Sequence, residues 1–166
     1  MRYPERKHPR LKQYDYSLPG YYYVTIHAER NAPAFSDIFS GNIYCRARVC
    51  LTNTVEIIQK QLVLLEQRFS YVKVDKYVIM PTHIHVIVRL LEGTAGASPR
   101  PTLMEIVGSF KSLTTRACNQ YANTPGRKLF QVSFYETVLR NELAYQECWR
   151  YIDENPDKWA IEPNDI

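Results

Sequence analysis

The sequence lacks any hydrophobic run long enough to cross a membrane, because polar or charged residues interrupt each apolar stretch well before the roughly 18 residues that a spanning helix needs. The N-terminus has no apolar segment, so we also expect no signal peptide. Internal repeats are absent as well. What remains is a composition of 45% hydrophobic and 23% charged residues, typical of a globular protein, and 166 residues predict one domain with a substantial core.

Cysteine is scarce and follows no motif. The four cysteines, at positions 45, 50, 118 and 148, form no Cys-x-x-Cys pair. Their scatter argues against a structural metal site, which is usually closed by four ligands rich in cysteine. We expect buried thiols in a reducing compartment, which predicts a cytoplasmic protein.

The sequence has a modest excess of positive charge, and this charge is unevenly distributed along the chain. Lysine and arginine number 21 and aspartate and glutamate 17, which gives a net charge of +4. Five of the basic residues fall in the first dozen positions, where Glu5 is their only acidic neighbour. Residues 1–20 therefore predict an extended basic arm that ends in a turn, and residues 21–166 predict the single domain. Charge alone leaves open whether the arm is a solvated tail or contacts phosphates.

Two histidines open an apolar stretch in the middle of the chain. Residues 77–88 (YVIMPTHIHVIV) hold two apolar runs that meet at Met-Pro-Thr, and the second run begins with His83, Ile84 and His85. Since side chains alternate along a strand, His83 and His85 face the same side, with Cα atoms roughly 6–7 Å apart. Both imidazoles can then reach one metal ion. The alternative is that they are merely polar residues on an exposed strand face.

Hydrophobic periodicity predicts four strands and three helices. Their order, βαββαβ followed by an extra helix, predicts an α+β ferredoxin-like sandwich with an antiparallel sheet and two helices on one sheet face. The other face is left for the last helix or for a ligand. The predicted strands are 21–27, 72–80, 83–90 and 129–139, with a small hairpin within 29–46.

The predicted helices carry their own start signals. The first spans about 51–69, with Asn53 or Thr54 as its cap, and the second follows a capping box formed by Thr102 and Glu105. The third is capped by Asn141 and is expected to end before Pro156.

The last helix has two distinct faces. Its apolar stripe is Tyr145, Cys148, Trp149 and Ile152, while Tyr151 lies away from the stripe. Asn155 follows Tyr151 by four residues, so one turn presents a phenol and an amide together at the shoulder of the helix. The alternative is that Tyr151 is a half-buried surface aromatic and Asn155 simply ends the helix.

Taken together, these segments resemble the REP-associated tyrosine transposases, a group of HUH single-tyrosine transposases. Residues 77–88 resemble their His-hydrophobic-His motif, and residues 134–142, with Tyr151-Ile152 and Asn155-Pro156, resemble their closing segment. Residues 10–26 (RLKQYDYSLPGYYYVTI) and 109–116 are similar too. The likeness covers nearly the whole chain, in the same order.

The resemblance implies an enzyme that cuts and rejoins single-stranded DNA on a ferredoxin-like fold. It implies that Tyr151 is the nucleophile and forms a 5'-phosphotyrosine intermediate. It also implies a divalent metal, Mg or Mn, held by His83, His85 and Asn155.

Three further residues are candidates for the roles of nucleophile or metal ligand. Tyr145 and Tyr135 are the alternative nucleophiles, although Tyr145 belongs to the apolar stripe. His27, on the strand face away from the core, is expected to be structural or to face the substrate rather than to bind the metal.

The expected partner is single-stranded DNA that carries a hairpin, with no membrane, and the protein is expected to act as a monomer or homodimer near the nucleoid. Tyrosines on the surface are expected to stack on bases, and basic residues to contact phosphates. The candidate phosphate-binding residues are Arg6, Lys7, Arg10, Lys12, Lys111, Arg116, Arg127 and Lys128.

The main alternative function is a non-catalytic module that binds single-stranded nucleic acid, with an architecture like that of RNA-recognition domains. It accounts for the tyrosines and the basic arm. It leaves unexplained why His83 and His85 occur together with Tyr151 and Asn155.

Overall fold

The computed structural model describes residues 11, 13–32, 34–36, 38–39, 48–49, 52–93 and 100–161. Arg6, Lys7, Arg10 and Lys12 lie outside these ranges, as do Cys45 and Cys50. The elements in chain order are β1 (Gly20–His27), β2 (Ile38–Phe39), β3 (Arg48–Val49), α1 (Asn53–Arg68), β4 (Val72–Ile79), β5 (His83–Leu90), α2 (Leu103–Ala122), β6 (Tyr135–Leu139) and α3 (Glu142–Ile161).

The main sheet has four strands in the order β4-β5-β1-β6, and every neighbouring pair is antiparallel. The short strands β2 and β3 form a separate hairpin. Helices α1 and α2 pack on one face of the sheet, and α3 packs on the other. This arrangement confirms the predicted α+β ferredoxin-like sandwich with an additional C-terminal helix.

Alternation along β1 separates two different environments. Tyr22, Val24 and Ile26 are buried in the main core under α1 and α2. Tyr21 and Tyr23 point to the opposite face and pack in a second apolar cluster beneath α3. The sheet therefore has no uncovered face along this part of β1, and α3 determines which side chains remain accessible.

The helix caps agree with the predicted signals except at α1. Thr102 and Glu105 form the capping box at α2, and the Asn141 side chain accepts a hydrogen bond from the backbone N–H of Ala144 at α3. At α1 the cap is Thr52 instead of Asn53 or Thr54, because its hydroxyl accepts a bond from the N–H of Val55 at 3.1 Å.

Strand β6 is shorter than the predicted 129–139. Phe130 makes only an isolated bridge to Ala28, and the ladder with β1 begins at Tyr135. The Lys111 ammonium explains the difference, because it donates to the carbonyl oxygens of Gln131 and Val132 at 2.6 and 2.8 Å. These carbonyls are thereby held toward α2, and regular pairing with β1 begins only at Tyr135.

The predicted end of the last helix before Pro156 is wrong, since α3 continues to Ile161 with Pro156 in its interior. Proline lacks an N–H and normally breaks a helix at a cost of about 3 kcal/mol. Here Pro156 is buried, and Ile152 and Trp159 pack on both sides of it in the cluster beneath α3. Burial of these apolar side chains offsets the missing hydrogen bond.

The segment before β1 forms a turn, as predicted for the end of the arm, and this turn packs against the domain. Tyr22 donates its hydroxyl proton to the carbonyl of Leu18 at 2.7 Å, and the backbone N–H of Leu103 donates to the carbonyl of Tyr16. None of the helices in the described ranges is long and apolar enough to cross a membrane.

Candidate active site

His83 and His85 lie side by side at the start of β5, on the sheet face beneath α3. Their ring centroids are 4.5 Å apart, and they are only 4% and 6% exposed. The alternative that they are merely polar residues on an exposed strand face is therefore wrong. Buried polar rings need partners, and their partners define the site.

Hydroxyl groups occupy one nitrogen of each imidazole. His85 Nδ1 lies 2.7 Å from the Tyr23 hydroxyl and 3.0 Å from the Thr25 hydroxyl, and His83 Nδ1 lies 3.1 Å from the Thr82 hydroxyl. Such contacts fix the ring orientation, and at His85 they leave Nε2 as the nitrogen available to a further ligand. Burial raises the pKa of Tyr23, so its phenol stays neutral beside the ring.

Burial also keeps the histidines uncharged. Burial, together with the smaller effect of the neighbouring imidazoles, lowers the pKa of His83 to about 4 and that of His85 to about 3. A hydrogen bond from His83 to Asn155 acts in the opposite direction without cancelling the shift. Burial lowers the pKa of His27 as well. The rings are neutral near pH 7, which is the form that binds metal ions.

Helix α3 brings Asn155 and Tyr151 to the same place. Asn155 is 6% exposed and hydrogen-bonds His83, so its interpretation as a residue that merely ends the helix is wrong. Tyr151, one turn earlier, is 42% exposed, and its ring centroid lies 5.3 Å from that of His85 and 6.4 Å from that of Tyr23. A single chain therefore brings together all four residues that the resemblance singled out.

The other candidate tyrosines have different surroundings. Tyr145 donates its hydroxyl proton to Asp75 at 3.3 Å and packs its ring on Tyr21, away from the histidines. Tyr135 lies at the β6 side of the site, with its ring centroid 5.7 Å from that of His27.

Three residues that contact the site histidines were not predicted from the sequence. Trp159 packs with its ring centroid 6.0 Å from that of His83, but it lies beyond the predicted end of the helix. Tyr23 and Thr25 alternate onto the same face of β1 as His27, but nothing in the sequence indicated His85 as their hydrogen-bond partner. This pairing depends on the strand register, in which Thr25 lies directly opposite His85, and alternation along each strand does not determine that register.

The donor set fits a divalent cation. In the described part of the chain no three His, Cys, Asp or Glu side chains form a group that could hold a metal ion. The candidate set instead combines two neutral imidazoles with one amide oxygen, from His83, His85 and Asn155. Imidazole and amide oxygen are both acceptable to Mn, and oxygen suits Mg, while three protein ligands leave positions open for substrate and water.

The basic candidates that the structure describes fall into two kinds. Lys111 is engaged with the carbonyls of Gln131 and Val132, so most of its hydrogen-bonding capacity serves the fold. Arg116, Arg127 and Lys128 are exposed near the C-terminal end of α2, where Arg116 lines a shallow groove.

Comparison with known proteins supports the fold. No protein-family model matches the chain. A protein of Haemophilus influenzae described only as uncharacterized is 27% identical over 169 residues, which cover 93% of this chain and 89% of that protein. The structure of a REP-associated tyrosine transposase bound to a REP hairpin superposes with a TM-score of 0.61 and 20% identity, over 91% of this chain and 74% of that one. The chain therefore has the fold of that transposase.

Proposed function

We propose that this protein is a metal-dependent endonuclease and strand transferase that acts on single-stranded DNA through a 5'-phosphotyrosine intermediate. The observation that carries the proposal is the position of Tyr151, which stands partly exposed beside His85 while Asn155 of the same helix bonds His83. A candidate nucleophile and a candidate metal site are thus adjacent within one chain.

The proposed reaction transfers a phosphoryl group of the DNA from a 3'-oxygen to the phenolic oxygen of Tyr151. The Tyr151 oxygen forms a bond to the phosphorus and gives up its proton to solvent or a base, while the bond from phosphorus to the 3'-oxygen of the preceding nucleotide breaks. That oxygen takes up a proton and becomes a free 3'-hydroxyl. The number of phosphoester bonds is unchanged, and a phenol is a better leaving group than an alcohol, so the strand can be rejoined without an energy source.

The buried residues prepare the site for an anionic substrate. His83, His85 and Asn155 contribute no negative charge that would repel a phosphate. These three residues would hold a divalent cation, which would supply Lewis-acid polarisation of the phosphate and a template for its orientation. The hydroxyls of Tyr23, Thr25 and Thr82 hold the two rings in place.

A hairpin-bearing DNA is the proposed substrate because the transposase that shares the fold is described as bound to a REP hairpin. The compact arrangement of Tyr151 and His85 in one chain favours a nucleophile that acts within its own subunit. An exchange of α3 between two subunits is the alternative that this arrangement disfavours.

The alternative of a non-catalytic binding module loses support from the position of α3. RNA-recognition domains stack bases on an open sheet face. Here Tyr21 and Tyr23 lie beneath α3 in an apolar cluster, so this part of the face is not open to bases.

The proposal is tested by incubating the protein with hairpin-bearing single-stranded DNA and Mn²⁺ or Mg²⁺, and looking for a protein–DNA band that resists denaturant. We expect the wild-type protein to form the band and the Tyr151→Phe protein to form none. Tyr121→Phe is the matched control, since Tyr121 is also exposed but lies on α2. DNA binding without any band would favour the binding module.

A further inference from the structure

Five aromatic rings connect across the candidate site in a continuous row. Tyr135 contacts His27, with ring centroids 5.7 Å apart, and His27 contacts His83 at the same separation. His83 contacts His85 at 4.5 Å, and His85 contacts Tyr151 at 5.3 Å. The candidate metal ligands occupy the middle of the row, with the proposed nucleophile at one end and Tyr135 at the other.

The two ends are separated along β1. Tyr151 lies against Tyr23, whereas Tyr135 lies against His27, four residues further along the same strand. Four residues of extended chain span roughly 13 Å, about the length of two nucleotides of extended DNA strand. Thr25 lies between these ends and is paired with His85 on one side and with Tyr135 on the other.

Tyr135 is held firmly although it is 41% exposed. The segment that leads to it is tied to β1 by a backbone hydrogen bond from Gln131 to His27 at 3.0 Å. The ammonium of Lys111 holds the same segment through two carbonyls, at 2.6 and 2.8 Å. The ring of Tyr135 meets that of His27 edge to face, at 81°. A rigid, partly exposed aromatic ring of this kind is a typical platform for a nucleobase.

The chemistry of the proposed reaction indicates which base this platform receives. In-line displacement at phosphorus places the leaving oxygen on the side opposite the nucleophile. With Tyr151 at one end of the row, the sugar that carries the leaving 3'-oxygen comes to the His27 end.

We infer that Tyr135 and His27 form a stacking subsite for the nucleotide that bears the 3'-hydroxyl released by cleavage. This inference rests on the proposed function for the direction of the strand. The subsite retains the cut 3' end near the phosphotyrosine, which favours rejoining over loss of the strand. It also assigns Tyr135 a role through its ring, in contrast to the role of nucleophile that the sequence left open.

The inference is tested with a short oligothymidylate that carries 2-aminopurine at its 3' end, in Mg²⁺, because stacking on an aromatic ring quenches this base. We expect the wild-type and Tyr135→Phe proteins to quench the probe alike, and Tyr135→Ala to bind its 3' end about ten-fold more weakly. The matched control is Tyr121→Ala, which removes an exposed tyrosine on α2 and should behave as wild type. The same oligonucleotide with 2-aminopurine at its 5' end should be unaffected by Tyr135→Ala. Unfolding midpoints of all variants show whether the fold is intact.

Several results would overturn the inference. The first is that the wild-type protein does not quench the 3' probe, or that Tyr135→Ala quenches it as strongly as the wild type does. The second is that Tyr135→Phe binds the 3' probe as weakly as Tyr135→Ala does. The third is that the 5' probe loses as much binding in Tyr135→Ala as the 3' probe does. Failure of the proposed function gives a different result, since the covalent band would then be missing while the 3' probe still depends on the Tyr135 ring. If the band forms and quenching of the 3' probe does not depend on Tyr135, the inference is wrong and the proposed function stands.

Discussion

His83 and His85 are buried imidazoles, and burial is unfavourable for their protonated forms. The folded protein lowers the pKa of His83 to about 4 and that of His85 to about 3, below the ordinary value of 6.5. Between pH 6.5 and about 4, the unfolded chain takes up protons that the folded chain does not. The stability that these neutral rings contribute is therefore fully present above pH 6.5 and falls as the pH is lowered through this range.

This linkage predicts a pH-dependent free energy of unfolding. In EDTA, urea unfolding should show that stability falls between pH 6.5 and 4.5, by roughly 1 kcal/mol per pH unit for each buried histidine. His85→Gln should reduce the slope, because glutamine does not titrate. Tyr121→Phe, which leaves every histidine in place, should retain the full slope. An unchanged slope in His85→Gln would mean that this ring is protonated equally in both states.

Among the elements, α3 supplies both Tyr151 and Asn155 to the site. It is held on the sheet by Ile152, which is 1% exposed, and by Lys76 of β4, which pairs with Asp153 at 2.6 Å and lies over the ring of Trp149. The position of Tyr151 therefore depends on the apolar packing of its neighbour in the same helical turn.

The Ile152→Ala variant tests whether formation of the covalent band depends on the packing of α3 against the sheet. Loss of the buried side chain should lower the free energy of unfolding by about 2–5 kcal/mol, and it should reduce the covalent band even where the protein remains folded, because α3 is no longer held firmly. Leu143→Ala on the same helix is the control, since Leu143 is 66% exposed and its loss should change stability by less than about 0.5 kcal/mol. Urea unfolding and the band assay measure both effects. A destabilised Ile152→Ala protein with a full band would contradict the dependence of the site on α3.

Local rules predicted the elements well and failed where tertiary packing overrides them. Alternation along β1 and β5 and the four-residue spacing of Tyr151 and Asn155 are properties of the sequence, so the faces of these residues were predictable. The continuation of α3 through Pro156 was not, because it depends on contacts of Ile152 and Trp159 with the sheet. The shortened β6 depends in the same way on Lys111, which comes some 20 residues earlier in the chain.

Over the whole molecule, positive charge exceeds negative charge by only four, so its placement matters more than its amount. Arg127 and Lys128 are exposed next to each other after α2, near Arg116. Lys111 was grouped with them from the sequence, but its contacts with two carbonyls show that it supports the fold. Sequence alone does not distinguish a lysine that faces solvent from one that caps a loop.

Salt titrations of DNA binding should separate these roles. Replacing both Arg127 and Lys128 by alanine should weaken binding and lower the slope of log affinity against log salt by about one to one and a half, as expected for two lost phosphate contacts with a single strand. Lys111→Ala should instead lower the unfolding midpoint and leave the slope nearly unchanged. A slope that falls in Lys111→Ala but not in the double variant would reverse the assignment.

The central claim, that the phenol of Tyr151 is the attacking group, is tested most directly by locating the DNA on the protein. The denaturant-resistant adduct is digested with protease and nuclease, and the nucleotide-bearing peptide is sequenced by mass spectrometry. The account predicts a 5'-phosphate linked to Tyr151 and none in the Tyr151→Phe protein. A phosphate linked to Tyr135 or Tyr145, or an adduct that persists in Tyr151→Phe, would contradict it.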